Sequence, residues 1–136
     1  MGTEMKILFA LFFTCSVLPV SAKDQPLPDS KLPQTARYSE QVLLKNWALS
    51  RCIGTAFANA EIKQDAFNSA SGYLEYGHVP IEAYEEVSKL ISVFLARKYS
   101  GSIPGTFHTM ECLDLFHSKA LDGVVQKHVR HAVRAK

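Results

Sequence analysis

Glycine and proline are scarce, seven and six residues in 136, which excludes collagen-like and low-complexity architectures. Charge of one sign is lacking as well: fifteen lysines and arginines stand against thirteen acids, a formal net charge of +2. A chain so balanced has no basic excess that calls for nucleic acid as a partner. No apolar run reaches the roughly 20 residues that a helix needs to cross a bilayer, so a permanent membrane span is not expected. Neither a Walker phosphate-loop spacing nor a His-Glu-x-x-His pair occurs, and no cofactor or metal is expected. What is present is a 47% hydrophobic composition at single-domain length. That is too apolar for a mostly disordered chain and sufficient for one core.

The first 22 residues read as an address. Lys6 precedes an apolar stretch from Ile7 to Leu18, followed by Pro19-Val20-Ser21-Ala22. A basic start, an apolar core and small residues at the end describe a secretory signal peptide, cleaved after Ala22. Met5-Lys6 is a more natural start than Met1. Cys15 invites a lipoprotein reading, but Phe12-Phe13-Thr14 before it lacks the Leu-small-small approach of a lipidated cysteine.

Cleavage removes Cys15 and leaves Cys52 and Cys112. In an oxidising compartment an even count favours a disulfide, which would stabilise the fold by about 4 kcal/mol in the chain-entropy model. Two alternatives stay open: a catalytic thiolate with His117 or His108 as base, and a free or metal-bound thiol.

Residues 23–37 hold three prolines and no apolar period, and read as a flexible leader. From residue 38 to 136 the pattern is helical. In Tyr38–Asn59, with Ser39 as N-cap, Val42, Leu49, Ile53, Ala56 and Phe57 recur at helical steps, and Leu44, Trp47, Ala48 and Cys52 widen the stripe. A second helix spans Ile62–Tyr76, with Ile62, Ala66, Ala70, Tyr73 and Leu74 on one face and Gly77 as its stop. A third opens at Pro80 and runs to Lys98, its stripe Tyr84, Val87, Ile91, Phe94 and Leu95. After a Gly/Pro loop, a fourth helix carries Met110, Leu113 and His117, and a fifth carries Leu121, Val124, Val125 and Val129 before a basic tail expected to fray. No repeat and no strand-like alternation appears. The expectation is an all-α, compact bundle of four to five helices with one intramolecular disulfide.

Candidate chemistry is sparse. Asp114 and His117 share a helix face, with Glu111 nearby, and a structural hydrogen bond is expected there rather than a metal or acid–base cluster. His128 and His131 are expected on a solvated face. Glu82, Glu85 and Glu86 lie near the positive end of the third helix. The residues alone point to an exported helical binding protein.

A resemblance adds the partner. The string Leu44-Lys45-Asn46-Trp47-Ala48-Leu49-Ser50-Arg51-Cys52-Ile53 resembles the first helix of the type VI secretion amidase immunity proteins, in their fourth amidase–immunity group. So do Tyr73-Leu74-Glu75, Phe94-Leu95 with Tyr99, and Glu111-Cys112-Leu113-Asp114-Leu115-Phe116-His117-Ser118-Lys119 with Leu121. The likeness runs from about Tyr38 to Val129. It implies a periplasmic, all-helical protein with a disulfide between Cys52 and Cys112. Its partner would be a papain-like cysteine amidase that cuts peptidoglycan between D-glutamate and meso-diaminopimelate.

The resemblance further implies a homodimer in a 2:2 complex, a helix of one subunit and a protruding loop of the other covering the effector's cleft. On this sequence the helix is Pro80–Lys98, with Glu82, Glu85 and Glu86. The loop is Ser100–Phe107, with Ser100, Gly101, Ser102, Ile103, Pro104, Gly105 and Phe107 as contact candidates. The competing expectation is an exported helical hydrolase using Cys112 and His117, or an inhibitor of another cell-wall enzyme.

Overall fold

The computed structural model of the chain describes residues 34–134, with side chains through Arg130. The expected signal peptide and most of the leader lie outside the described residues. The last four leader residues, Gln34–Arg37, form a 3-10 turn. Five helices follow: α1 (Glu40–Ala56), α2 (Ala60–Tyr76), α3 (Ile81–Leu95), α4 (His108–Phe116) and α5 (Lys119–Arg134). The described residues contain no strand.

Ser39 caps α1 as expected, its side chain accepting from the Val42 N–H at 3.3 Å, and Asn59 caps α2 by accepting from the Ile62 N–H at 3.0 Å. The deepest face of α1 is Leu44, Trp47, Ala48 and Cys52, while Leu49, Ile53 and Ala56 only flank it and Val42 is exposed. The period was right, and the residues that widen the expected stripe lie deepest, while its first member, Val42, does not reach the core. Helix α1 touches all four other helices, so apolar residues occur on most of its circumference and no single stripe marks the interior.

Three residues join α1 to α2, and the two pack closely. Gly54 makes that approach possible, because a Cβ there would sit 2.5 Å from Phe67 Cε1. Ala66 and Ala70 are buried as expected, whereas Ile62 and Leu74 are exposed. Helix α3 contributes Ala83, Tyr84, Val87, Ile91 and Phe94 to the core, with Tyr84 edge-on to Trp47 at 4.8 Å between ring centroids. Pro80 is its N-cap, one position before the first turn, and Arg97 and Lys98 fall beyond its end. Arg97 instead lays its guanidinium over the Phe94 ring at 3.5 Å.

The disulfide joins Cys52 of α1 to Cys112 of α4 across 60 residues, with the Cα atoms 5.6 Å apart. It fixes the phase of α4. Cys112 has to face α1, which brings Glu111 and Leu115 inward and leaves Met110, Leu113 and His117 outward. The expected stripe of Met110, Leu113 and His117 is therefore wrong by about one residue.

On α5, Leu121, Val125 and His128 are buried at helical spacing, and the helix continues to Arg134 where fraying was expected. His128, expected in solvent, is 6% exposed. It shares the inward face with Leu121 and Val125, so the apolar register carries it under α3. His131 lies outside the described side chains.

Candidate functional site

The connection between α3 and α4 carries Ile103, the most exposed large hydrophobic side chain among the described residues. Its tip consists of Ser100, Gly101, Ser102, Ile103, Pro104 and Gly105, all exposed, with Ile103 at 77%. Phe107 differs from the other loop candidates. It is half-buried at the neck, its ring so close to Gly101 that a Cβ there would meet Phe107 Cζ at 3.0 Å. Below the neck, the Tyr99 hydroxyl donates to Asp114 Oδ2 at 2.5 Å. That bond holds the phenol above its ordinary value of 10.0, first through the acceptor carboxylate, with Arg97 pulling the other way.

The base of the loop is fastened to the core. His108, the first residue of α4, stands edge-on to Phe57 at 5.6 Å. Its Nδ1 lies 2.9 Å from Oε2 of the buried Glu111. One turn on, Cys112 is bonded to α1. The expected Asp114–His117 hydrogen bond is absent: Asp114 takes Tyr99, Glu111 takes His108, and His117 sits past the last turn as the C-cap. Among the described residues no group of three or more His, Cys, Asp or Glu side chains could hold a metal. Nor does Cys112 offer a thiolate. Its sulfur is bonded and buried, which overturns the Cys112–His117 hydrolase reading.

The three glutamates of α3 divide. Glu82 and Glu85 are exposed. Glu86 is held internally: Lys127 Nζ donates to Oε1 at 2.5 Å, and His128 Nε2 lies 3.3 Å from the same oxygen. Nε2 of His128 is buried with no hydrogen-bond partner of good geometry. The Glu86 carboxyl is held below its ordinary value of 4.5, first by the Lys127 hydrogen bond, with partial desolvation opposing.

Glu85 borders a shallow, mainly apolar groove of about 490 Å³, walled by Trp47, Ile81, Tyr84, Ser88 and Ser92. Ile81 stands 63% exposed at its rim. Sequence reasoning missed this groove, whose one signal is an isoleucine placed off the α3 stripe. It also missed the Tyr99–Asp114 pair, which no periodicity announces because the partners belong to a loop and a helix. Glu82 and the loop occupy opposite ends of α3, separated by about 20 Å at 1.5 Å rise per residue. A single chain does not bring them together.

The comparisons bear on the whole domain. A family model described as type VI secretion system (T6SS), amidase immunity protein, Tai4, matches residues 42–125. No curated relative matches the chain. Among solved structures, the chain is similar to one in the effector–immunity system Tae4/Tai4 of Salmonella typhimurium, at 38% identity and a TM-score of 0.68, covering 71% of this chain and 96% of that one. A chain in the Enterobacter cloacae Tae4–Tai4 complex matches at 30% identity and a TM-score of 0.63, covering 71% and 98%. A third, from the Salmonella typhimurium effector Tae4 bound to the Enterobacter cloacae immunity protein Tai4, matches at 30% identity and a TM-score of 0.62, covering 71% and 99%.

Proposed function

The chain belongs to the type VI secretion system amidase immunity family, and from that premise we propose that it binds a Tae4-type peptidoglycan amidase and blocks its cleft by occupying it. The observation that carries the proposal is the exposed loop Ser100–Gly105, projecting from a base that the disulfide, His108 and Tyr99 tie to the core. A protruding, firmly based element lowers the ordering cost of binding in a groove. Ile103 is the apolar anchor, with Pro104 beside it, and such anchors dominate interface energy. The inhibition is steric and involves no turnover by this chain.

The two candidate surfaces support a paired stoichiometry. Because the Glu82–Glu85 end of α3 and the loop lie at opposite ends of one chain, one effector would meet α3 of one subunit and the loop of its partner. That arrangement closes as a homodimer holding two effectors. Glu82 and Glu85 supply electrostatic match to a basic rim. Glu86 acts there only if it leaves Lys127.

Export places the protein in the periplasm: the amino-terminal segment is a signal peptide removed after Ala22, so the mature chain begins at Lys23. Among the described residues no helix is long and apolar enough to cross a membrane.

The reading is tested by mixing mature protein, purified with its disulfide intact, with the Salmonella typhimurium Tae4 effector and measuring mass by light scattering after gel filtration. A 2:2 assembly is expected at micromolar concentration. Two separate peaks at all ratios would contradict the proposal.

A further inference from the structure

We propose that Tyr99 and Asp114 are positioning residues of the inhibitory loop, their hydrogen bond holding residues 102–105 in the conformation that meets the amidase. The inference rests on the reading of that loop as the element entering the effector's cleft.

The loop has almost nothing else to shape it. Among the described residues, no backbone group from Tyr99 to Thr106 pairs with another backbone group. A segment of that length held by nothing would sample many conformations, and each lowers the binding-competent fraction. Two side-chain staples stand where backbone pairing is missing. The lower one is the Tyr99 hydroxyl on Asp114, two partners 15 residues apart, and it fastens the segment leaving α3 to the helix that the loop enters. The upper one is the Phe107 ring lying on Gly101, an approach so close that an added Cβ would push the ring aside. Between them they close the neck and leave Ser102–Thr106 outside it.

The anchor of the lower staple is itself fixed. Asp114 lies two residues beyond Cys112, whose sulfur is bonded to α1. His108 closes the start of the same helix through Glu111 and Phe57. The chain of support therefore runs from the core through the disulfide to α4, through Asp114 to Tyr99, and up to the loop tip. Tyr99 is half-buried, and its aromatic ring could stay where it is without the hydroxyl. The hydroxyl donates to Asp114, and the Arg97 guanidinium is its other polar neighbour.

The experiment measures binding of the Salmonella typhimurium Tae4 effector to wild type, Tyr99→Phe, Asp114→Ala, which removes the acceptor, the double variant, and each of these in an Ile103→Asp background. Both single variants are expected to bind about three- to tenfold more weakly, mainly through slower association, because a smaller fraction of loops is competent. The double variant should be no weaker than either single one, since all three remove the same bond. In the Ile103→Asp background Tyr99→Phe should cost nothing further, and Tm should change little in every variant.

Wild-type binding by Tyr99→Phe, with Ile103→Asp impaired, would overturn the positioning role and leave the loop reading standing. An undiminished Tyr99→Phe effect in the Ile103→Asp background would show a general structural role and overturn it too. Unimpaired binding by Ile103→Asp would defeat the loop reading itself, and the positioning role with it.

Discussion

Ile103 is an isoleucine left 77% exposed beside a proline, so its substitution separates binding from folding. Ile103→Asp removes no core contact and should leave Tm within a degree or two of wild type. It should weaken effector binding by tenfold or more, because it places an unpaired charge where an apolar anchor is expected. Titration calorimetry on the two proteins checks this. Glu86 offers the converse case, a residue whose charge serves the fold. Its folded pKa lies below the ordinary 4.5, first because Lys127 donates to it. A depressed carboxyl contributes stability that is complete above its unfolded value and is lost as pH falls through the folded one. Glu86→Gln should therefore flatten the acid limb of the urea midpoint plotted against pH, from about 4.5 downward, and leave the neutral plateau nearly as shallow as before.

At the scale of elements, the disulfide joins the two short-range patterns that the sequence shows separately. Replacing both Cys52 and Cys112 by Ala should cost about 4 kcal/mol and lower Tm by roughly 15 °C or more in calorimetry. The contact between α1 and α2 is as local as the disulfide is long-range. Gly54→Ala should cost about 1–3 kcal/mol in urea unfolding, because its Cβ would enter the Phe67 ring. These elements also show where sequence reading succeeds. Helix existence, the Ser39 cap and the Ala66–Ala70 face were legible, since each is written in local spacing and side-chain chemistry. The phase of α4 was not, because it is set by Cys52 on a distant helix. The burial of His128 was hidden for the same reason: α3 covers it, and nothing adjacent in the chain says so. The loop was legible from its glycines and proline, but its staples were not, since Tyr99 and Asp114 meet only once α4 is placed.

For the molecule as a whole, the loop and the acidic start of α3 lie at opposite ends of one helix. In the proposed dimer, one subunit would offer its loop and its partner the start of α3 to the same effector cleft. Removing the tip by replacing residues 102–105 with a Gly-Ser linker should abolish tight binding without unfolding the bundle, whose buried residues lie elsewhere. The most direct measurement is the peptidoglycan amidase activity of the Salmonella typhimurium Tae4 effector, titrated with the mature protein from Lys23 onward. Activity should vanish at about one immunity chain per effector, and return when the loop-replaced variant is used at the same concentration. Full activity in a large excess of folded, disulfide-intact protein would contradict the account.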